Sequence, residues 1–182
     1  MKHWRRKGER IVAKLDRHEA ALLRTLVEQL TELFAERESE TPQDELAELT
    51  GIRTGPATAP RDPVLSRLLP DFHRLDTAEG AEYADSAAAL RSLHEPELLA
   101  AKQGVAATLL ETVPSDGGTV SLDEETASSW LSALNDLRLA LGSMIGVTED
   151  MPEQLPSDDP RAAQLAVYHW LTWMQDSLLR VL

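Results

Sequence analysis

The stretch MKHWRRKGERIVAKLDRHEAALL, residues 1–23, changes its periodicity once, at Asp16, and that change decides the fold. In RIVAKL, residues 10–15, Ile11, Ala13 and Leu15 alternate with Val12 and Lys14, the period of two that sends successive side chains to opposite faces of a strand. Gly8 supplies a tight turn within KGE, so residues 1–15 read as a β-hairpin. Asp16 then stands as an N-cap, with Glu19 three residues later, the capping-box spacing that starts a helix. Beyond it Leu22, Leu23, Leu26, Val27, Leu30, Leu33 and Phe34 recur at helical spacing and form a broad apolar face that runs to about Glu38.

Further along, PQDELAELT at 42–50 predicts a short helix and GIRTGPATAPRDP at 51–63 a loop. DPVLSRLLPDF at 62–72 predicts another short helix, with Leu65, Leu68 and Leu69 inward. Residues 76–93 and 96–113 read as two helices, because Pro96 marks a new first turn. SDGG at 115–118 is a turn, and residues 118–122 are a strand that can join the hairpin, since two strands alone are marginally stable. Asp123 caps a helix in which Trp130, Leu134, Leu137, Leu141 and Ile145 share one face and Gly146 ends the run. Residues 147–160 form a loop or lid. The last helix, from about Pro160, carries Val167, Leu171, Met174, Leu178 and Val181 on one face and is apolar enough to be a central core helix.

Composition agrees. Of 182 residues 42% are hydrophobic but only 4% aromatic, with Leu and Ala in the lead, the signature of helices packed on helices. The predicted fold is mainly α: a single-domain helical bundle over residues 1–182, with a small antiparallel N-terminal β-hairpin or three-stranded sheet. No repeat is found, and no stretch nears the roughly 18 apolar residues of a membrane helix. The expected location is the cytoplasm, with no membrane partner.

Charge is unevenly placed. Lys2, Arg5, Arg6, Lys7, Arg10, Lys14 and Arg17 face only Glu9 and Asp16, which makes the first 17 residues +5 and leaves −18 to the remainder of a chain whose net charge is −13. The acidic body repels nucleic acid and suits basic partner surfaces, whereas the N-terminal segment can meet phosphate.

Chemistry is harder to find. With no cysteine, thiolate nucleophiles, disulfides and Cys-ligated zinc are excluded. His18-Glu19 begins like HExxH, but Leu22 occupies the second histidine's place. Glu-x-x-His is absent at His94 and His169, where Arg91 and Ala166 stand three residues earlier. There is no GxxxxGK[ST], and in GSMIG at 142–146 the serine is second, not third. No catalytic residue, metal or cofactor is expected. The tryptophans of VYHWLTW, residues 167–173, read as part of a core face.

The candidate contact residues are therefore Trp4, Arg5, Arg6, Lys7 and Arg10. Their charges have three readings: protection of an edge strand from stray pairing, contact with nucleic acid, or pairing with the chain's own carboxylates. Trp4 either anchors the strand on the helices or stands among the arginines.

The pattern W-x-R-K-G-x-R (Trp4, Arg6, Lys7, Gly8, Arg10), the helix EAALLRTLVEQLTELF, DPVLSRLLPD at 62–71 and the terminal AVYHWLTWMQDSLL together resemble the actinobacterial oxidative-stress regulator (AosR-like) family. That family is long catalogued as a domain of unknown function and is often encoded beside a ClpS-type adaptor. The resemblance implies a non-enzymatic regulator acting with RNA polymerase and a stress sigma factor through protein contacts, direct DNA contact being at most auxiliary. An adaptor or modulator of Clp-type proteolysis is the alternative. Oxidant sensing through cysteine is closed to this chain. A homodimer through the apolar helices fits the pattern as well.

Overall fold

The computed structural model describes residues 2–41, 54–72 and 83–182. Strands β1 (Lys2–Lys7), β2 (Arg10–Leu15) and β3 (Gly118–Leu122) form an antiparallel sheet in the order β1-β2-β3. Gly8, at φ 61°, makes the hairpin turn, a backbone conformation that costs glycine little. Five helices are present among the described residues: α1 (Arg17–Ser39), α2 (Pro63–Leu68), α3 (Ala84–Thr112), α4 (Glu124–Ile145) and α5 (Ala162–Leu179). The expected mainly helical fold with a three-stranded sheet is what forms.

Local signals set most boundaries. Asp16 Oδ1 accepts from Glu19 N at 2.9 Å while Asp16 N donates to the Glu19 carboxylate at 2.8 Å, so the capping box closes. Asp123 caps α4 through Thr126 N at 2.9 Å, and Gly146, at φ 67°, ends it. Asp62 caps α2 through Val64 N and Leu65 N. The helix expected over 42–50 lies outside the described residues.

Two expectations need correction. Pro96 does not begin a new helix; it sits inside the 29-residue α3. A proline there deprives the carbonyl four residues back of its donor, and the loop before α2 replaces it: Gly55 N donates to Ser92 O at 2.7 Å, and Ser92 Oγ returns a bond to Gly55 O at 2.9 Å. Glycine is needed for that approach, since a Cβ at residue 55 would lie 3.0 Å from Pro96 Cγ. The central helix is α4, not α5. It packs against α1, α2, α3, α5, β2 and β3, and Trp130 at its heart is wholly buried, its Nε1 donating to Thr112 Oγ1 at 2.7 Å. Helix α5 covers α4 and β1 and buries Leu171, Met174 and Leu178, but leaves Trp170 and Trp173 half-buried.

Beside the loop lies a buried ionic cluster. Arg37 of α1 and Arg91 and Glu95 of α3 are each 2% exposed. Arg37 Nε donates to Glu95 at 2.6 Å, Arg91 donates to the other oxygen of Glu95, and Arg91 Nη2 reaches Asp71 at 2.7 Å. Arg37 Nη1 donates to the Glu40 carboxylate at 2.5 Å, and further donors go to the carbonyls of Thr58, at 2.6 Å, and Leu69, at 3.2 Å. Burial works against the charge on Arg37, but its bonds to Glu95 and Glu40 outweigh that, and its pKa is raised. The cluster holds residues 54–72 against α1 and α3.

Candidate functional site

Alternation along the three strands divides the sheet into unlike faces. Trp4, Ile11, Ala13, Leu15, Val120 and Leu122 point inward and are buried against α1, α4 and α5. Among the described residues no helix packs over the opposite face, which carries His3, Arg5, Lys7, Lys14 and Thr119 around half-buried Val12. Cross-strand register puts Arg5 opposite Val12 and Lys7 opposite Arg10. Two like charges directly opposite oppose strand pairing by a few tenths of a kcal/mol, roughly.

The five predicted contact residues therefore part company. Trp4 is the anchor: 2% exposed, it meets Trp130 edge-on at 5.3 Å, an arrangement that adds roughly 1 kcal/mol to the area it buries. Its backbone N–H donates to Ser177 Oγ of α5 at 3.1 Å, which ties down the outer edge of β1. Its indole Nε1, also buried, has no hydrogen-bond partner among the described residues. Arg6 turns to the chain itself, donating to Glu124 at 2.7 Å and to the carbonyls of Val181 and Leu182 at 3.2 Å. Arg10 crosses β3 to Ser121 O at 2.8 Å and to Asp123 at 3.4 Å. The Asp123 carboxyl sits below its ordinary range, chiefly through its bonds to Thr126 and further through the charge of Arg10. Arg5 and Lys7 remain exposed with no ion pair or hydrogen bond among the described residues, and Lys14 joins them on the same face.

The basic residues left exposed and unpaired on this face, among the described residues, are thus Arg5, Lys7 and Lys14, with His3 at their border. Sequence reasoning pooled Arg5 with Arg6 although a period of two already separates them, and it passed over Lys14, whose pairing with the hairpin's first strand shows only in the register. Among the described residues no three His, Asp or Glu side chains gather as a metal-binding group, and no helix is long and apolar enough to cross a membrane. What this face can do is attract an anion, whether phosphate or carboxylate.

Comparison with known proteins covers the whole chain. A Mycobacterium tuberculosis protein named oxidative stress regulator AosR is 48% identical over 185 residues, covering 97% of this chain and 84% of the relative. The Mycobacterium bovis protein of the same name matches to the same extent. A Mycobacterium leprae relative is 43% identical over 192 residues, covering 100% of this chain and 88% of its own. No solved structure matches. Residues 1–182 match the family described as "Domain of unknown function (DUF2017)", and the chain belongs to that family, whose mycobacterial members are named oxidative stress regulators.

Proposed function

We propose that the protein is a non-enzymatic, cytoplasmic regulator of the oxidative-stress response that works through protein contacts, with RNA polymerase and a stress sigma factor as its partners. The regulatory part follows the names of the mycobacterial relatives. The observation that carries the rest is the segregation of charge: Arg5, Lys7 and Lys14, unpaired among the described residues, stand on one sheet face that no described helix covers, in a chain with net charge −13. The acidic body suits basic protein surfaces, and the basic face can rest on promoter phosphate once the protein is docked. Without cysteine, the chain takes part by binding and not by thiol oxidation. Affinity purification of the tagged protein from oxidant-treated cells tests this. Polymerase and a sigma factor should be enriched over a variant carrying Arg5→Glu, Lys7→Glu and Lys14→Glu; co-purification of a Clp chaperone without polymerase would move the protein to regulated proteolysis.

A further inference from the structure

A second uncovered surface runs along the seam between α4 and α5. Leu131, Trp173 and Leu179 give it apolar walls, and Arg138 and Gln175 lie between them. Leu179 is 59% exposed, whereas Trp173 is half-buried. Two buried polar atoms there, Arg138 Nε and Gln175 Oε1, have no hydrogen-bond partner among the described residues.

Arg138 is set apart from its fellows. Four arginines among the described residues are buried or half-buried: Arg37 and Arg91 fully, Arg24 and Arg138 in part. Arg24 donates to the carbonyls of Leu110 and Val113, and Arg37 and Arg91 share Glu95. Arg138 meets neither carboxylate nor carbonyl among the described residues, in a chain that has 31 Asp and Glu for 18 Lys and Arg. The nearby Asp176 is engaged by Arg180 at 3.0 Å. The seam also joins the basic face, for the Trp173 ring lies 4.7 Å from that of His3, at the border of the Arg5 and Lys7 surface.

We infer that this seam receives an acidic, apolar segment of a partner protein. Its apolar side chains lie against Leu131, Trp173 and Leu179, one carboxylate completes Arg138, and further acidic residues pass over His3 toward Arg5 and Lys7. A nucleic acid would meet the basic face but has nothing to set against Leu131 and Leu179. A second copy of this chain would bring −13 against −13, a repulsion that opposes self-association. The inference rests on the protein's working through protein contacts, but not on which protein it meets.

Fluorescence anisotropy with the full chain tests it. The probes are a fluorescein-labelled peptide with Leu and Glu at amphipathic helical spacing, the same peptide with every Leu replaced by Ser, and a labelled DNA duplex. The Leu/Glu peptide should bind, and Arg138→Gln should weaken it roughly tenfold or more, the scale of a lost charge-assisted hydrogen bond. Arg138→Lys should restore part of the affinity. Leu179→Ser, at an exposed position that does not endanger the fold, should weaken the same peptide severalfold. Equal binding of the Ser peptide, equal binding of the duplex, or indifference to both Arg138→Gln and Leu179→Ser would overturn the inference. So would sedimentation showing a dimer that these variants dissociate. Loss of peptide binding by Arg138→Gln with polymerase capture intact upholds the seam and separates it from the polymerase reading; capture of polymerase with no peptide binding by the unaltered chain sinks the seam alone.

Discussion

Arg37 and Arg91 on one side, and Arg5 and Lys7 on the other, are four cations used in opposite ways. The first two are buried and their donors are spent on Glu95, Glu40, Asp71 and backbone carbonyls. The second two stand in water on the sheet with nothing paired to them among the described residues. A guanidinium taken from water without partners is prohibitively costly, so the interior pair has to be completed by the chain itself. An exposed cation carries no such obligation, and in an acidic protein its remaining unpaired keeps it free for another molecule. For these four cations burial thus separates the charges that fix the fold from those that are available for contact, and substitution can test the division from both sides.

The largest effect is expected at Glu95. Glu95→Ala would leave two buried guanidiniums facing each other without their shared carboxylate, and breaking a buried pair of this kind costs about 5 kcal/mol at the upper end. Urea unfolding should show it as a large drop in midpoint, with residues 54–72 the first to become susceptible to protease. A loss below about 1 kcal/mol would mean that the cluster does not hold that segment. Trp4→Ala comes next, near the lower end of the usual range for a buried aromatic, about 3 kcal/mol, because the indole N–H has no hydrogen bond to lose. It should destabilise the sheet without changing its charge, and a loss of partner capture that exceeded the fraction unfolded would return Trp4 to the contact surface.

A fifth cation lies between the two extremes. Lys102 donates to Asp136 at 2.7 Å between α3 and α4, with side-chain exposures of 16% and 8%. Burial raises the Asp136 carboxyl above its ordinary pKa, and the bond and charge of Lys102 only partly offset this. A raised folded-state value means that the native state binds the proton more tightly than the unfolded chain, so this contribution to stability is present below about pH 4 and is lost as pH rises through the folded value. Lys102→Met alone should cost about 2 kcal/mol at neutral pH by leaving a buried carboxylate unpaired. Lys102→Met with Asp136→Asn should recover most of that and flatten the dependence of stability on pH. A single variant as stable as the double at neutral pH would show that water already serves the carboxylate.

How far the sequence reveals this division depends on distance along the chain. Asp16 with Glu19, Asp123 with Thr126 and Gly146 are legible because cap and helix lie within a few residues of each other. The inward face of β2 is legible because strand alternation needs no partner to be seen. Arg37 carries no local mark of burial, since Glu95 lies 58 positions away and helical spacing alone places an arginine in water. Pro96 misleads for the same reason: the group that takes over its hydrogen bond, Gly55, comes from a distant loop. The rank of α4 over α5 was hidden because both carry broad apolar faces, and only the packing tells which is covered on more sides. At the candidate site, the excess of basic residues was plain, but its partition was not, because Arg6 and Arg10 find Glu124 and Asp123 more than a hundred residues on.

The smallest effect on stability, and the most discriminating, is expected at the sheet. Arg5→Glu with Lys7→Glu changes two exposed side chains that touch no carboxylate, so unfolding free energy should move by no more than about 0.5 kcal/mol. Any gain would come from relieving the Lys7 and Arg10 opposition across the hairpin. Partner capture should nevertheless fall, and it should fall further at low salt, where the lost attraction acts over a longer range. Arg6→Ala is the matched control. It removes a cation from the same strand, but one already committed to Glu124 and the C-terminal carbonyls, so it should leave capture nearly intact while loosening the junction of β1 with α4 and the chain's end. If Arg6→Ala abolished capture and the Arg5, Lys7 variant did not, the paired charges and not the free ones would be the contact residues, and the division by burial would fail at the sheet.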